Sequence, residues 1–326
     1  MIVSRAPLRL SLGGGGTDLP FFSNRYGGNL TSVAIDKYLY IIIEKRPFYD
    51  DFLIRYSKTE VVDSVNKISH TRIKAALKYL DITEPLEITS VADVPAGTGL
   101  GSSSTFLVAL LKGLHTYKGD EVSSFKLAEE AAEIEMKLLG EPIGKQDQYL
   151  ASFGGLINLD ISKTGKVIVS PIDISSEALK ELEENLLLFS TGIKHSAAEI
   201  ISEQKKKLEE DEEKMSQMKV IQELGNDIKK ALEEGDVKKF GRWMNVHWET
   251  KKKFSKNMSS DKIDKLYEIG LKNGALGGKI VGAGGGGFLM FYCDGDKERL
   301  RSAMKAENLR ELKFNFDHEG CKIIHK

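Results

Sequence analysis

The sequence predicts a chain of two domains that mixes strands and helices, and three observations carry that prediction. Runs rich in β-branched and aromatic residues alternate with apolar helical stretches through the first half of the 326 residues. The composition turns acidic and helix-forming over residues 175–185, which places a boundary there, with domains over 1–180 and 181–326. Three glycine-rich segments lie far apart, each beside a strand pattern: Ser11–Asp18 (SLGGGGTD), Pro95–Thr105 (PAGTGLGSSST) and Val281–Leu289 (VGAGGGGFL).

Residues 2–12 set Ile2, Val3, Leu8, Leu10 and Leu12 against Arg5 and Arg9, a strand ending at a glycine turn. Residues 30–46 read as one or two strands and residues 52–62 as another. A helix is expected over His70–Leu80, and a strand over Leu86–Val94 leads into the central glycine segment. Helices follow over Thr105–Tyr117 and Ser123–Leu139, the second with Ser124 as a cap. Gly154–Leu159 and Val167–Ile172 read as a hairpin around Thr164 and Gly165. After the acidic helix comes a short apolar strand, Leu186–Ser190. From Ser196 to about Glu234 the chain is charged and helix-forming, with Ile201, Leu208, Met215, Ile221, Leu224, Ile228 and Leu232 on a narrow apolar stripe. The stripe suits one packed face of a solvated helix. A homodimer through a coiled coil is its competing use, disfavoured by a short, Lys/Glu-rich seam. Helices over Val237–Lys252 and Lys262–Asn273, a strand–loop–strand over Lys279–Tyr292, a helix over Asp296–Ala306 and a strand over Cys321–Ile324 complete the chain.

Hydrophobic residues make up 41% of the chain, enough for a full core. Lys and Arg number 47 against 48 Asp and Glu, and this balance argues against a nucleic-acid partner. No stretch approaches the ~20 apolar residues of a membrane span, and no long apolar leader opens the sequence, so no membrane partner is expected. Cys293 and Cys321 lack metal-type spacing, and their scarcity fits a reducing compartment. A soluble, cytoplasmic protein is the expectation.

The central segment runs strand, glycine loop, serine run, helix. Glycines let a backbone approach a phosphate, and the new helix offers unpaired N–H groups and the positive end of its dipole. The common nucleotide loop needs Gly-Lys-Ser/Thr, and no lysine follows Gly97, Gly99 and Gly101 here. The dinucleotide fingerprint has a different last spacing. Glu135 near a helix end and Asp147 beyond a turn within Gly140–Tyr149, twelve residues apart, can face one cavity. Phosphoryl transfer to a hydroxyl needs one carboxylate to hold Mg2+ and another to orient or deprotonate the hydroxyl. Lys145 can lower the pKa of Asp147 and neutralise charge on the transferring group. In the first segment, Asp18 can accept from vicinal sugar hydroxyls, and Arg5 and Arg9 can bind anions bidentately.

With these motifs in order, the chain resembles the GHMP kinase superfamily, named for galactokinase, homoserine, mevalonate and phosphomevalonate kinases. Pro7, Arg9, Thr17 and Asp18 match its first motif, Pro95-Ala-Gly-Thr-Gly-Leu-Gly-Ser-Ser-Ser its second, and Lys279–Phe288 its third. The resemblance implies an α+β fold with a ribosomal S5 domain 2-like N-terminal domain, a ferredoxin-like C-terminal domain and an active site between them. It further implies that Pro95, Gly97, Gly99, Leu100, Gly101, Ser102, Ser103 and Ser104 bind the phosphates of ATP. Ser103 and Glu135 would hold Mg2+. Asp147 would be the base or orienting carboxylate, its charge stabilised by Arg9 or Lys145. Asp18 with Gly15, Gly16 and Thr17, and Gly284, Gly285 and Gly286, would shape the acceptor side.

Galactokinase-like members usually carry Gly-Glu-His-Thr-Asp in the first motif, where this chain has Gly14-Gly15-Gly16-Thr17-Asp18. That departure, with STGIKHSAAEI (Ser190–Ile200) and WETKKKFS (Trp248–Ser255), is similar to the branch of heptose 7-phosphate kinases and the kinase part of L-fucokinases. The branch implies ATP-dependent phosphorylation of the anomeric hydroxyl of a heptose 7-phosphate. Lys194, His195, Lys251 and Lys252 are candidates for the acceptor's own phosphate, against a bland use as solvated helix-face residues. A fucokinase-like 1-kinase acting on an unphosphorylated sugar, a non-catalytic ATP and sugar sensor, and a decarboxylase of the mevalonate branch are the alternatives.

Overall fold

In the computed structural model, which describes residues 1–193, 197–253 and 258–326, β1 (Ile2–Gly13) and β2 (Gly28–Lys45) are the antiparallel spine of the first sheet. Residues 30–46 thus belong to one long strand, which has room for different partners on its second edge. Its first part, Gly28–Val33, pairs β6 (Leu156–Ile161), and its later part, Leu39–Lys45, pairs β5 (Leu86–Ala92). The run 52–62 is two strands, β3 (Phe52–Arg55) and β4 (Thr59–Val62), which pair antiparallel with β3 parallel to β5. β7 (Val167–Pro171) closes the β6 hairpin.

The second sheet is antiparallel, in the order β11 (Arg310–Glu311), β8 (Leu186–Ser190), β10 (Phe288–Tyr292), β9 (Gly277–Ile280). The last strand, β12 (Lys322–His325), returns to the first sheet and pairs β1. The chain's end therefore lies with the N-terminal half rather than with residues 181–320. The two halves together form the two-domain α+β architecture.

Helices cover the sheets. α1 (Pro20–Tyr26) follows the first glycine turn, and α2 (Thr71–Tyr79) packs on α3 (Ser102–Lys118). Every residue of α3 from Ser104 to Leu111 is buried, because the helix lies against β1 and β2 with α2, α4 (Ser124–Glu133) and α5 (Gln146–Phe153) around it. Each large side chain so buried contributes roughly 1.5–3 kcal/mol, which anchors the loop preceding α3. Ser123, not Ser124, caps α4 by accepting from Lys126 N. The expected helix to Leu139 finishes as a π-helical turn, Ile134–Leu138, a widening common at functional sites.

After α6 (Ser176–Asn185), the charged stretch divides into α7 (Ala197–Glu210) and α8 (Glu212–Glu233), because Asp211 accepts from Glu213 N and Lys214 N and starts a new helix. The α8 stripe of Met215, Met218, Ile221, Leu224, Ile228 and Leu232 is buried within the same chain, so that seam is already occupied. Gly225 of α8 meets the first glycine turn so closely that a Cβ there would lie 2.9 Å from Gly14 Cα. α9 (Val237–Lys252), α10 (Asp261–Lys272) and α11 (Lys297–Ala306) complete the second domain. No helix of the described residues is long and apolar enough to cross a membrane.

Candidate active site

A cavity of about 500 Å³ opens where β1, the start of α3, the π-helical turn, the start of α5, the end of α9 and the third glycine segment meet. Its wall on the α3 side is the central segment. Gly97, Gly99 and Gly101 have φ of 76°, 83° and 81°, which only glycine adopts without strain. Gly101 stands at the N-cap of α3 with no side-chain cap, so the N–H groups of Ser102, Ser103 and Ser104 open the helix without such a partner. The serines are thus not caps. Ser102 is half-buried and Ser103 exposed, whereas Ser104 is buried and accepts from Gln148 Nε2 at 3.3 Å.

The second domain holds this loop backbone to backbone. A Cβ on Gly99 would lie 2.3 Å from Val281 O, and one on Gly287 would lie 2.3 Å from Thr98 O. The central and third glycine segments interlock, and side chains at these points would force them apart.

Arg9 and Asp147 meet at the centre. Arg9 is buried on β1 and donates from Nε to Asp147 Oδ1 at 2.7 Å and from Nη1 to Gly99 O at 2.5 Å. One guanidinium thus ties the carboxylate to the central glycine loop. Asp147 sits in the first turn of α5, a helix absent from the sequence reading, which placed this residue after a turn. Asp18 caps that helix, accepting from Gln146 N at 3.1 Å. Burial pushes the Asp18 carboxyl up from its ordinary range, partly opposed by the Gln146 N–H, with Asp147 nearby adding to the rise.

Beyond Ser103, Glu135 is fully buried in the π-helical turn. It accepts from Arg72 Nε at 2.9 Å and Gln148 Nε2 at 2.6 Å, and burial raises its pKa against the pull of Arg72. Arg72 also reaches Glu141. Arg72, Glu141 and Gln148 were missed in the sequence. Arg72 is 63 residues from Glu135, with no local pattern to join them.

Not every expected residue faces the cavity. Lys145 Nζ is 2.7 Å from Glu129 Oε1 and 3.0 Å from Gly165 O, so it pairs there and not with Asp147. Residues two apart at a helix start point in different directions. Thr17 is fully buried, its hydroxyl 2.8 Å from Gly14 O and 2.9 Å from Asn29 O, which spends it on the turn rather than on a ligand. Gly15, Gly16 and Asp18 do line the cavity. In the third segment the lining residues are Gly282 and Ala283, while Gly284 packs on Met258 and Gly286 on Ile193. Gly285 N donates to Met258 O. Pro95 is exposed outside the lining, and Leu100 is buried with its carbonyl accepting from Arg9 N at 3.2 Å. Lys194 and His195 lie outside the described residues. Lys252 pairs Glu249 and Asp264 away from the cavity, whereas Lys251 lines it, and burial brings its ammonium down to about 8.

An open helix N-terminus, a carboxylate–guanidinium pair and an interlocked glycine segment in one cavity define a phosphate-handling enzyme. The models of the GHMP kinases N terminal domain and GHMP kinases C terminal match residues 66–155 and 228–310. The chain belongs to the GHMP kinase family and is a phosphotransferase acting on an alcohol group. It is 32% identical to the D-glycero-alpha-D-manno-heptose 7-phosphate kinase of Campylobacter jejuni, over 98% of each chain. It is 26% identical to a galactokinase of Pyrococcus furiosus, over 91% of this chain and 90% of the relative. A solved D-glycero-D-manno-heptose 1-phosphate kinase from Bacteroides thetaiotaomicron superposes with a TM-score of 0.82 at 29% identity, covering 100% of this chain and 99% of the other.

Proposed function

We propose that the protein is an ATP-dependent sugar kinase that transfers the γ-phosphoryl group to the anomeric hydroxyl of a heptose 7-phosphate. The observation that carries this reading is the Arg9 bridge, which joins Asp147 to Gly99 of the phosphate loop in one cavity. The likeness to the Campylobacter jejuni heptose 7-phosphate kinase over nearly the whole chain supports the acceptor.

In this reading the N–H groups opening α3 and the Gly97–Gly101 loop receive the ATP phosphates. Asp147 orients the sugar hydroxyl and accepts its proton as the hydroxyl oxygen attacks in line, and ADP leaves. Arg9 keeps Asp147 aimed and supplies positive charge beside the developing anion. Asp18 accepts from sugar hydroxyls while its Oδ2 caps α5, so acceptor position and Asp147 position are coupled through one residue. Ser103 and Glu135, with Glu141 beside them, line the cavity with hard oxygen donors that fit Mg2+, a cation that needs few protein ligands when phosphates supply the rest. When bound, Mg2+ supplies charge neutralisation on the phosphates.

The test is a coupled assay of ADP release with ATP and a panel of sugars, including free heptose and heptose 7-phosphate. Turnover with the phosphorylated heptose at least tenfold above the free sugar is expected. Equal turnover of both moves the acceptor to an unphosphorylated sugar, and no turnover with any sugar overturns the reading.

A further inference from the structure

Lys251, near the end of α9, lines the cavity and is only 6% exposed. Its Nζ reaches Gly282 O at 3.4 Å, and among the described residues it has no carboxylate within ion-pair distance. The other lining cations are already paired, Arg9 with Asp147 and Arg72 with Glu135 and Glu141. A buried ammonium is rarely left without an anion, because its desolvation is costly. Ser11 of β1 also lines the cavity, is 4% exposed, and its Oγ has no hydrogen-bond partner among the described residues. One turn before Lys251 on the same helix, His247 is fully buried, and neither ring nitrogen has a hydrogen-bond partner among the described residues. Lys279 of β9 is buried too, with Leu12 O at 3.5 Å. Burial and the neighbouring cations push His247 and Lys279, behind the cavity lining, toward their neutral forms, which leaves Lys251 as the cation at the lining. Its Nζ adjoins Gly282, where the central and third glycine segments touch.

We infer that Lys251 Nζ and Ser11 Oγ form a phosphate-receiving subsite, through which the second domain provides the cation that the central loop lacks. With one N–H directed at Gly282 O, the ammonium has two donors left and the hydroxyl offers one, a set suited to a tetrahedral oxyanion. The same chemistry would hold the phosphoryl group of the nucleotide or the phosphate carried by the acceptor, a choice that rests on the kinase reading above. Both donors reach the cavity from outside the central segment, which explains how a lysine-free loop still meets polyanions.

The experiment uses the full chain and no turnover. Binding of tripolyphosphate and of heptose 7-phosphate is measured separately by calorimetry for the wild type, Lys251→Met and Ser11→Ala, with melting temperatures alongside. Lys251→Met is expected to melt at or above the wild-type temperature and to lose about tenfold or more in affinity for one ligand. Ser11→Ala is expected to lose several-fold for that same ligand. Loss for tripolyphosphate assigns the subsite to the nucleotide, and loss for the sugar phosphate assigns it to the acceptor. Both variants binding both ligands within about twofold of wild type overturns the inference, as does a wild type that binds neither. If Lys251→Met melts low and loses binding of everything, Ser11→Ala decides: unchanged affinity overturns the subsite. A protein that turns over no sugar but needs Lys251 for tripolyphosphate refutes the sugar-kinase reading and leaves the subsite standing.

Discussion

Replacing Gly99 by alanine tests the interlock of the two glycine segments. At φ 83° an L-residue costs roughly 1–2 kcal/mol. The new Cβ would lie 2.3 Å from Val281 O, a backbone atom with no rotamer to escape into. Ordinary contact begins near about 3.4 Å, so the segments must part by about 1 Å. A displacement of that size at a reacting centre costs roughly 10²-fold in rate. Gly119→Ala is the matched control, because Gly119 also has φ 83° but nothing lies within 4 Å of its Cβ position. Gly119→Ala is expected to lose about 1–2 kcal/mol of stability from its φ alone, read as a few degrees in thermal melts, and Gly99→Ala to lose more because of the added backbone clash. Only Gly99→Ala is expected to lose about 10²-fold in kcat/KM for ADP release. Equal activity in the two variants would refute the claim that the interlock positions the phosphate loop.

Asp147→Asn keeps the side chain's shape beside Arg9 but removes the carboxylate proposed above as proton acceptor, and kcat is expected to fall by about 10²–10⁴-fold while the protein melts near the wild-type temperature. A kcat within a few-fold of wild type would remove Asp147 from the proton-accepting role. Lys251 predicts a pH-dependent stability. Folding lowers its pKa from 10.5 to about 8, so the folded state binds the proton less well than the unfolded chain. Stability is therefore greatest above pH 10.5, falls as pH drops toward 8, and is constant below, with a total of about 3 kcal/mol as an upper bound. The melting-temperature gap between Lys251→Met and wild type should widen as pH falls through that window, and a gap independent of pH would contradict the burial of a charged Lys251.

Local chemistry made much of this molecule legible. The glycine segments, the β1 alternation and the apolar α3 stretch are contiguous, and each is specified by neighbours in sequence. What stayed hidden depends on distant partners. Arg72 reaches Glu135 from a helix that reads as ordinary, and Ser11 and Lys251 share a cavity only because α9 packs on β1. Lys145 looked like the partner of Asp147 because the two are only two residues apart, but the start of the short helix α5 separates their directions and gives Asp147 to Arg9. The eight residues of α5 carry too little periodicity to declare a helix, and its N-terminal cap, Asp18, lies 128 residues away. The break at Asp211 was readable in principle, since an Asp before Glu-Glu is a helix-start signal, but the continuous apolar stripe outweighed it.

The central claim is that the phosphate loop and Asp147 act together on an anomeric hydroxyl. Phosphorus NMR of the product formed from ATP and heptose 7-phosphate tests it most directly. A second sugar-phosphate resonance coupled to the anomeric proton is expected to appear as ADP forms. ADP release without that resonance, or a new phosphate coupled to a proton at another carbon, would contradict it.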